Sequence, residues 1–341
     1  MTKTLHSSIK LLPHESLGDR KIILVSWLSH DERSALLGKH VGADVYFIKW
    51  GKRAWYMTPL RYIVQTIITW QVLQQEKPDV VIIQIPPIFS VPVVYLHKLF
   101  YGTQYVLDTH SGSFLSRIGR LTQGMHRFFS KEALTTLVPN TDIENKIKQW
   151  DAPVQLLGYT PDDYPVGKPF AFERDDVLNI VFICTFAVDE PVEAVIEAAS
   201  LSPKAHIYIT GDYKRAKHLL SNKPDNVTFT GYTEYEVFIG LLRNCDVIMD
   251  LTIWENTVLM GAYEAISLHK PLITSNSQVL RDYFPIGTIH IENTPESIAQ
   301  AIDDVQINME RLQEEIEVLH ENLLKEWEEN FDSFKKVLDI K

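Results

Sequence analysis

Short apolar runs alternate with amphipathic stretches along most of this chain. Residues 21–27, 79–85 and 178–184 are largely apolar runs, which indicates strands covered on both faces, as in a parallel sheet. Between such runs, apolar residues recur at three- and four-residue spacing, which predicts helices. Strands and helices in strict alternation are typical of a doubly wound α/β domain.

The first half of the chain is predicted to hold six strands and five helices after a polar, aperiodic arm at residues 1–20. The predicted strands are 21–27, 43–48, 79–85, 104–108, 133–138 and 153–157. The predicted helices are 31–40, 59–76, 88–101, 117–131 and 140–150.

The alternation breaks at residues 158–176, where three prolines, two glycines and scattered charges indicate an interdomain linker. It then restarts with strands at 178–184, 205–210, 226–231, 246–251, 271–274 and 288–291. The predicted helices are 191–200, 214–221, 234–243, 257–268 and a long acidic helical region from Pro295 to about Glu329. The predicted domains are therefore 1–158 and 177–325, joined by a linker at 159–176 and followed by a terminal helix at 326–341.

Composition and charge narrow the class of protein. The 341 residues favour two domains, and no apolar run is long enough to span a membrane. No signal-peptide pattern is present, and the two cysteines, Cys184 and Cys245, indicate buried thiols in a reducing compartment.

Residues 1–160 carry 18 Lys+Arg against 12 Asp+Glu, whereas residues 161–341 carry 15 against 32. The basic first half is where an anionic partner is expected, although no nucleic-acid motif accompanies the charge.

The stretch from Asp246 to Asn276 suggests a nucleotide site. A helix starting near Thr257 would offer free N–H groups to a phosphate. Glu264 lies about two turns further along that helix, and its side chain would lean back towards the helix start. Diphosphate on the helix start and ribose hydroxyls on Glu264 would suit a nucleotide. An ordinary surface glutamate on a βαβ helix fits the same spacing equally well.

Five segments resemble the GT-B glycosyltransferases, and most closely their family-4 group. They are KPDVVIIQIPPIF, QYVLDTHSG, NVTFTGYTEYEVFIGLLRNCDVIMDL, NTVLMGAYEAISLHKPLITSN and WEENFDSFKKVL. The likeness covers most of residues 21–341. It implies an α/β fold with two doubly wound Rossmann-like domains facing a cleft, the first for the acceptor and the second for a nucleotide sugar. It also implies a C-terminal helix that crosses back to the first domain.

The resemblance assigns roles to residues around the signature helix. Glu264 matches the second signature glutamate, which binds the ribose. Asn256 stands where the first glutamate, which touches the donor sugar, is expected, and Glu255 is one residue away. The Arg and Lys that clamp the diphosphate fall near Thr185 and Glu190, so neither cation is present here.

The donor phosphate is consequently expected on the N–H groups of Asn256, Thr257 and Val258, assisted by Thr185. Gly211 and Gly231 follow predicted strands of the second domain, where glycine lets a backbone approach a ligand closely. The resemblance implies base recognition by the backbone of Gly231 and Tyr232, and plain turn chemistry is the alternative.

Three residues at predicted strand ends of the first domain are candidates for the acid–base chemistry. They are His30, Asp108 and His110, and the resemblance favours His110. Asp108 would orient an imidazole or cap the following turn. Arg33 would reach a phosphate or, as the favoured interpretation, be a polar residue on the face of the first helix.

The resemblance implies a hexosyltransferase that moves a sugar from a nucleotide diphosphate sugar, with UDP expected, to a carbohydrate or lipid-linked acceptor in polysaccharide or glycan assembly. No Asp-x-Asp motif occurs, so no metal is expected, and no other cofactor is expected either. The resemblance also implies that the transfer retains the anomeric configuration. The cationic and aromatic residues of 49–70 suit an anionic membrane surface, which would make a cytoplasmic protein peripheral on the membrane. The alternatives are a non-catalytic GT-B partner subunit and a nucleotide-sugar epimerase.

Overall fold

A computed structural model describes residues 8–10, 20–28, 31–51, 55–161, 164–174, 176–255 and 257–339. The chain divides into two compact units. The first unit comprises Met1–Tyr159 and Trp327–Lys341, and the second comprises Thr160–Glu326. Within the described ranges, no helix is both long enough and apolar enough to cross a membrane.

The first unit is built on a seven-stranded sheet in the order β1-β3-β2-β4-β5-β6-β7. Its strands are β1 (Ser8–Lys10), β2 (Ile22–Ser26), β3 (Asp44–Ile48), β4 (Val80–Ile85), β5 (Gln104–Thr109), β6 (Thr135–Val138) and β7 (Val154–Leu156). All neighbours pair in parallel except β1, which lies antiparallel on β3. The six predicted strands are present. The loose arm predicted for residues 1–20 is wrong at Ser8–Lys10, which pairs with the edge of the sheet.

In the amino-terminal part of this unit, the residues that the structure describes form seven helices. They are α1 (Glu32–Val41), α2 (Thr58–Glu76), α3 (Val91–Tyr101), α4 (Gly112–Leu115), α5 (Arg117–Leu121), α6 (Gln123–Glu132) and α7 (Thr141–Lys148). Short 3-10 turns at Trp55–Met57 and Ile88–Ser90 precede α2 and α3. The single helix predicted for 117–131 is divided at Thr122, whose backbone leaves the helical region. Side chains of α2, α3 and α6 share one core with strands β2 to β5.

The second unit is built on a six-stranded parallel sheet in the order β10-β9-β8-β11-β12-β13. Its strands are β8 (Leu178–Phe182), β9 (Ala205–Thr210), β10 (Val227–Gly231), β11 (Val247–Asp250), β12 (Leu272–Ser275) and β13 (Thr288–Ile291). Its helices are α8 (Val192–Leu201), α9 (Tyr235–Asn244), α10 (Met260–Ser267), α11 (Gln278–Tyr283) and α12 (Pro295–Leu338), with a 3-10 segment at Tyr213–Asn222. Helix α11 was not predicted. Two doubly wound parallel sheets confirm the predicted fold class.

Helix α12 runs for 44 residues, with a kink at Asn308, and its last turns belong to the first unit. Trp327, Phe331, Phe334 and Leu338 are buried in the core formed by α1 and the sheet face opposite α2 and α3. The Trp327 and Phe331 rings stack with centroids 4.7 Å apart. The predicted return of a C-terminal helix to the first domain is therefore confirmed.

The predicted linker packs along the second unit. The backbone N–H of Lys168 donates to the carbonyl of Glu236 at 2.8 Å, which fixes the stretch against α9. Gly167 has a φ of 73°, and a Cβ there would collide with the backbone of Gly240. Glycine at this position therefore permits both the turn and the close approach to α9.

Candidate functional site

Parallel strand ends of the second unit bring predicted nucleotide-sugar residues to one edge of its sheet. Thr185 follows β8, Gly211 follows β9, and Gly231 ends β10. On the other side of β8, β11 ends at Asp250. The order of strands reverses between β8 and β11, and ligands of open α/β sheets bind outside the carboxyl ends at such a switch point.

The helix that carries Glu264 starts later than the sequence predicted. It begins at Met260, after a residue with extended backbone at φ −92° and ψ 134°. The predicted start near Thr257 is therefore wrong, because Thr257 and Val258 precede the helix and their N–H groups are not first-turn amides. Asn256 lies outside the described residues.

The side chain of Asp250 binds the backbone N–H groups at the observed start of α10. Its buried carboxyl group accepts hydrogen bonds from the N–H groups of Gly261 and Ala262. A Cβ on Gly261 would overlap Oδ2 of Asp250, so this contact requires glycine. The first turn of the helix is thus capped by an acidic side chain of the chain itself, from a neighbouring strand.

A second carboxylate fills the loop between β8 and α8. The carboxylate of Glu190 accepts hydrogen bonds from the N–H and Oγ1 of Thr185, each at 3.0 Å, and from the N–H of Ala187 at 2.8 Å. The thiol of Cys184 also donates to it at 3.2 Å. The loop therefore has an anion where the family-4 resemblance implies a phosphate-clamping cation.

Asp250, Glu190 and Glu264 form an acidic group at the switch point. Burial holds the pKa of Asp250 well above its usual range, and the negative charges of Glu264 and Glu190 raise it further. Glu264 is half-buried. Close by in sequence, Oγ1 of Thr257 is buried and has no hydrogen-bond partner among the residues that the structure describes.

Replacing Asp250 by asparagine is expected to raise the free energy of unfolding near pH 8 by about 1–3 kcal/mol, because the amide avoids burying a charge. The raised pKa means that the stabilisation by Asp250 is complete below its unfolded pKa and is lost as pH rises through the folded value. Urea unfolding from pH 4 to 8 should therefore show wild type losing stability relative to Asp250→Asn. A constant difference between the two proteins over this range would contradict the shift.

The remaining predicted donor residues lie at the rim of this edge. Gly211 and Gly231 have φ angles of 89° and 75°, in the region that favours glycine. A Cβ on Gly211 would overlap the carbonyl oxygen of Cys184. Glycine at this position therefore lets the ends of β8 and β9 approach each other closely. Tyr232 is 89% exposed, and Glu255 is also exposed. Both side chains are thus accessible at the surface of the second unit.

In the first unit, Asp108 and His110 come together at the end of β5. Nε2 of His110 lies 3.3 Å from Oδ2 of Asp108, which is fully buried. In the neutral imidazole, an Nε2–H that donates to Asp108 leaves Nδ1 as the acceptor nitrogen. The geometry thus assigns Asp108 an orienting contact to His110. His30 lies outside the described residues.

Arg33 is the partner of Asp108 that the sequence did not reveal. Its Nε donates to Oδ1 of Asp108 at 3.1 Å, and its side chain is 5% exposed. Its other nitrogens donate to the carbonyls of Leu157 and Gly158, and its guanidinium lies 4.9 Å from the ring centroid of Tyr159. The favoured interpretation of Arg33 as a polar residue on the helix face is therefore wrong.

The charges around Asp108 determine its protonation. Burial alone would raise the pKa of this carboxyl, but Arg33 and His110 outweigh the burial and lower it to about 2. Asp108 is therefore ionised throughout the physiological range, and its charge is available to stabilise a protonated His110.

A cavity of about 680 Å³ opens at the switch point of the first sheet, between the ends of β2 and β4. Its lining comprises Trp27, Leu28, Lys49, Trp50, Gly51, Arg61, Tyr62, Gln65, Pro86 and Pro87. Aromatic rings and two cations therefore meet where an open α/β sheet binds its ligand. The N–H of His110 donates to the carbonyl of Ile85, the residue before the cavity-lining Pro86, at 2.9 Å.

Across the described ranges, no group of three or more His, Cys, Asp or Glu side chains has a geometry that could hold a metal ion. The sequence did not predict the hydrogen bonds that three side chains make in these sites, namely those of Arg33, Glu190 and Asp250. Asp250 carries the only local signal, because it ends an apolar run directly before the signature segment. The partners of the other two become visible only in three dimensions.

Residues 171–317 match the family glycosyl transferases group 1. A search of curated protein sequences finds no significant match.

Many solved structures share the fold, including the following three. Sucrose-phosphate synthase from Thermosynechococcus elongatus is 12% identical with a TM-score of 0.73, over 94% of this chain and 98% of that one. Anabaena HepE in complex with UDP-glucose is 11% identical with a TM-score of 0.66, over 92% and 91%. A Listeria monocytogenes protein assigned as a UDP-N-acetylglucosamine 2-epimerase is 9% identical with a TM-score of 0.62, over 87% and 91%.

Proposed function

We propose that this chain, a GT-B-fold protein with a glycosyl transferases group 1 domain at residues 171–317, transfers a sugar from a nucleotide diphosphate sugar to a carbohydrate or lipid-linked acceptor. The observation that carries the proposal is Glu264. It matches the ribose-binding signature glutamate, falls within the family match, and acts electrostatically on Asp250 at the switch point of the second sheet. A carboxylate there can accept hydrogen bonds from both ribose hydroxyls.

UDP is the proposed nucleotide, supported by the UDP-glucose complex of the structural neighbour HepE. The backbone of Gly231 and Tyr232 would meet the base, and the buried hydroxyl of Thr257 and the rim at Thr185 would face the diphosphate sugar. The proposed transfer needs no metal and retains the anomeric configuration. We expect the diphosphate to bind weakly beside this acidic group, because negative charges repel each other. Before a diphosphate can bind, Glu190 and Asp250 must either release the N–H groups that they accept from or be protonated.

On the acceptor side, His110 is the proposed base, with Asp108 as its orienting residue and His30 as a further candidate. A hydroxyl near Nδ1 of His110 would give its proton to the imidazole as its oxygen bonds to the anomeric carbon, on the face from which the diphosphate leaves. The bond from that carbon to the diphosphate would break, UDP would leave with the electron pair, and Asp108 would stabilise the imidazolium that forms. The cavity beside this strand edge is the proposed acceptor site. Its aromatic rings suit the apolar faces of sugars, and Lys49 and Arg61 suit an acceptor with a negative charge.

A role in polysaccharide or glycan assembly is part of the proposal. The protein would work in the cytoplasm or at the cytoplasmic membrane surface. Residues 49–70 remain the proposed anionic-membrane contact from sequence, although residues 52–54 lie outside the described ranges.

The proposal is tested by measuring release of UDP from a panel of UDP-sugars with sugar and lipid-linked acceptors, comparing wild type with His110→Ala. Loss of the base should lower kcat by about 10²–10⁴-fold while donor affinity stays unchanged. His218→Ala is a matched control, because His218 is an exposed histidine of the second unit. Turnover by wild type that His110→Ala leaves intact would contradict the assigned base.

The second candidate function is a non-catalytic partner subunit of a glycosyltransferase. It is favoured by the carboxyl groups of Glu190 and Asp250, which occupy N–H groups of the β8–α8 loop and of the α10 start that would otherwise be open to a phosphate. Wild type that binds UDP but releases none from any sugar donor would support this alternative over catalysis.

A further inference from the structure

One surface of the first unit carries a concentration of exposed apolar side chains. They lie on α2, α3, α5 and α6 and on the 3-10 turns before α2 and α3. We call this surface the apolar face, and its members are Tyr56, Leu60, Ile63, Ile67, Phe89, Leu96, Leu99, Phe100, Tyr101, Ile118, Leu121 and Phe128. Phe100 is 71% exposed and Leu121 is 86% exposed. These twelve are all the large exposed apolar residues that the structure describes in this unit.

Ring contacts connect the helices of the apolar face. Trp70 of α2 lies 6.5 Å from the ring of Phe100 on α3. The Phe128 ring of α6 lies 5.4 Å from that of Tyr95 on α3. Tyr62 and Phe89 line one small cavity together with Ile118 of α5. The exposed residues therefore belong to neighbouring helices on one layer of the fold.

Helix α2 is apolar on two sides. Gln65, Ile68 and Leu73 are buried against the sheet, whereas Leu60, Ile63 and Ile67 recur at three- and four-residue spacing on the exposed side. One amphipathic face would suffice for packing on the sheet. A second apolar side on neighbouring helices indicates a surface that meets something other than water.

The charges of the same region are predominantly basic. Residues 49–132 carry ten Lys+Arg and four Asp+Glu, which gives a net charge of +6. Of the four acids, Asp108 is buried with Arg33, Glu76 pairs with Lys21, and Glu132 lies 3.7 Å from Lys98. Uncompensated acidic charge is therefore scarce on this layer.

Helices α5 and α6 interleave the two kinds of side chain. The segment 111–131 contains four basic residues and no acidic residue. Arg117 and Arg120 are exposed on α5 beside the exposed Ile118, and the exposed Arg127 precedes Phe128 on α6. Basic and large apolar residues on short surface helices are the composition of an interfacial membrane contact.

We propose that the apolar face docks on the surface of an anionic lipid bilayer, with α3, α5 and α6 contributing most of the contact. The apolar side chains enter the boundary between headgroups and acyl chains, and the surrounding cations bind anionic headgroups. The surface extends well beyond residues 49–70. It rests on the proposed membrane contact of residues 49–70 and deepens it by naming the helices that carry the contact, and its vesicle test is independent of donor turnover.

The test is co-sedimentation of the full-length protein with vesicles of phosphatidylcholine alone or enriched in phosphatidylglycerol. Wild type should bind the anionic vesicles, more weakly as salt increases, and should bind the neutral vesicles poorly. Phe100→Asp combined with Leu121→Asp should lower the partition coefficient about tenfold or more. Arg117→Gln combined with Arg120→Gln should weaken the binding and reduce its salt dependence.

Ile307→Asp is the matched control, because Ile307 is 79% exposed in the second unit. It should bind vesicles as wild type does, and thermal unfolding should confirm that every variant is folded. Wild type that does not bind anionic vesicles, or variants that bind as wild type does, would overturn the proposal. So would wild type that is dimeric in solution while Leu121→Asp is monomeric, because a second copy would then cover the face.

Discussion

Replacing Arg33 by methionine is expected to lower the free energy of unfolding at pH 7 by about 3–5 kcal/mol. Arg33 and Asp108 form a buried ion pair, with side chains that are 5% and 0% exposed. Without Arg33, the Asp108 carboxylate would be a buried charge with His110 as its remaining side-chain partner among the described residues, and two backbone carbonyls would lose their donors. Chemical unfolding measured by circular dichroism would give the loss directly.

The pH dependence identifies the cause of that loss. The lowered pKa of Asp108 means that its contribution is present above its unfolded pKa and is lost as pH falls towards about 2. Removal of Arg33 raises this pKa, so the loss in Arg33→Met should be smaller at pH 4 than at pH 7. The double variant Arg33→Met, Asp108→Asn should recover part of the stability, because no charge remains buried.

Arg174→Met provides the control for this experiment. Arg174 pairs with Asp176 at 2.7 Å, but both side chains are at least half exposed. Removing this pair should leave the unfolding midpoint close to that of wild type, because solvent screens exposed charges. If Arg33→Met is no less stable than Arg174→Met, the buried pair does not have the role proposed here.

Replacing Glu264 by alanine is expected to weaken UDP binding about a hundredfold, and turnover should fall with it. Two charge-assisted hydrogen bonds to the ribose would account for a loss of this size, which corresponds to about 2.7 kcal/mol. Isothermal titration calorimetry with UDP measures the affinity for the nucleotide separately from the rate of sugar transfer. Glu264→Gln should have an intermediate effect, because the amide retains one oxygen acceptor but no charge.

Glu193→Ala is a suitable control, because it removes an exposed glutamate from the same unit. UDP affinity in this variant should equal that of wild type. A folded Glu264→Ala protein that binds UDP as tightly as wild type does would show that the ribose is held elsewhere. Because Glu264 also raises the pKa of Asp250, the alanine variant should be no less stable than wild type near neutral pH.

The strands and most helices were predictable because their signals are local. Apolar runs identified twelve of the thirteen strands that the described ranges contain, and the remaining one is the edge strand Ser8–Lys10. The start of α10 was missed for a tertiary reason. Val258 and Leu259 extend the apolar spacing of the helix, but the observed cap comes from Asp250 on a neighbouring strand.

The candidate sites were only partly predictable. Asp108 and His110 are two residues apart, so their proximity could be read from one loop. Arg33 is 75 residues from Asp108 in sequence, and its burial depends on α1 placing its side chain beside Asp108 of β5 and the carbonyl of Leu157, just after β7. Nothing local in the sequence distinguishes this arginine from a solvated one on a helix face.

The last helix has a consequence for how the protein is made. Trp327, Phe331 and Phe334 complete the core of the first unit, yet they are translated after the whole second unit. During synthesis, the amino-terminal sheet must therefore emerge from the ribosome with one apolar side covered by α1 but not yet by the last helix. The domain that is translated first is thus the last to become fully native, and until then part of its apolar surface is exposed to aggregation.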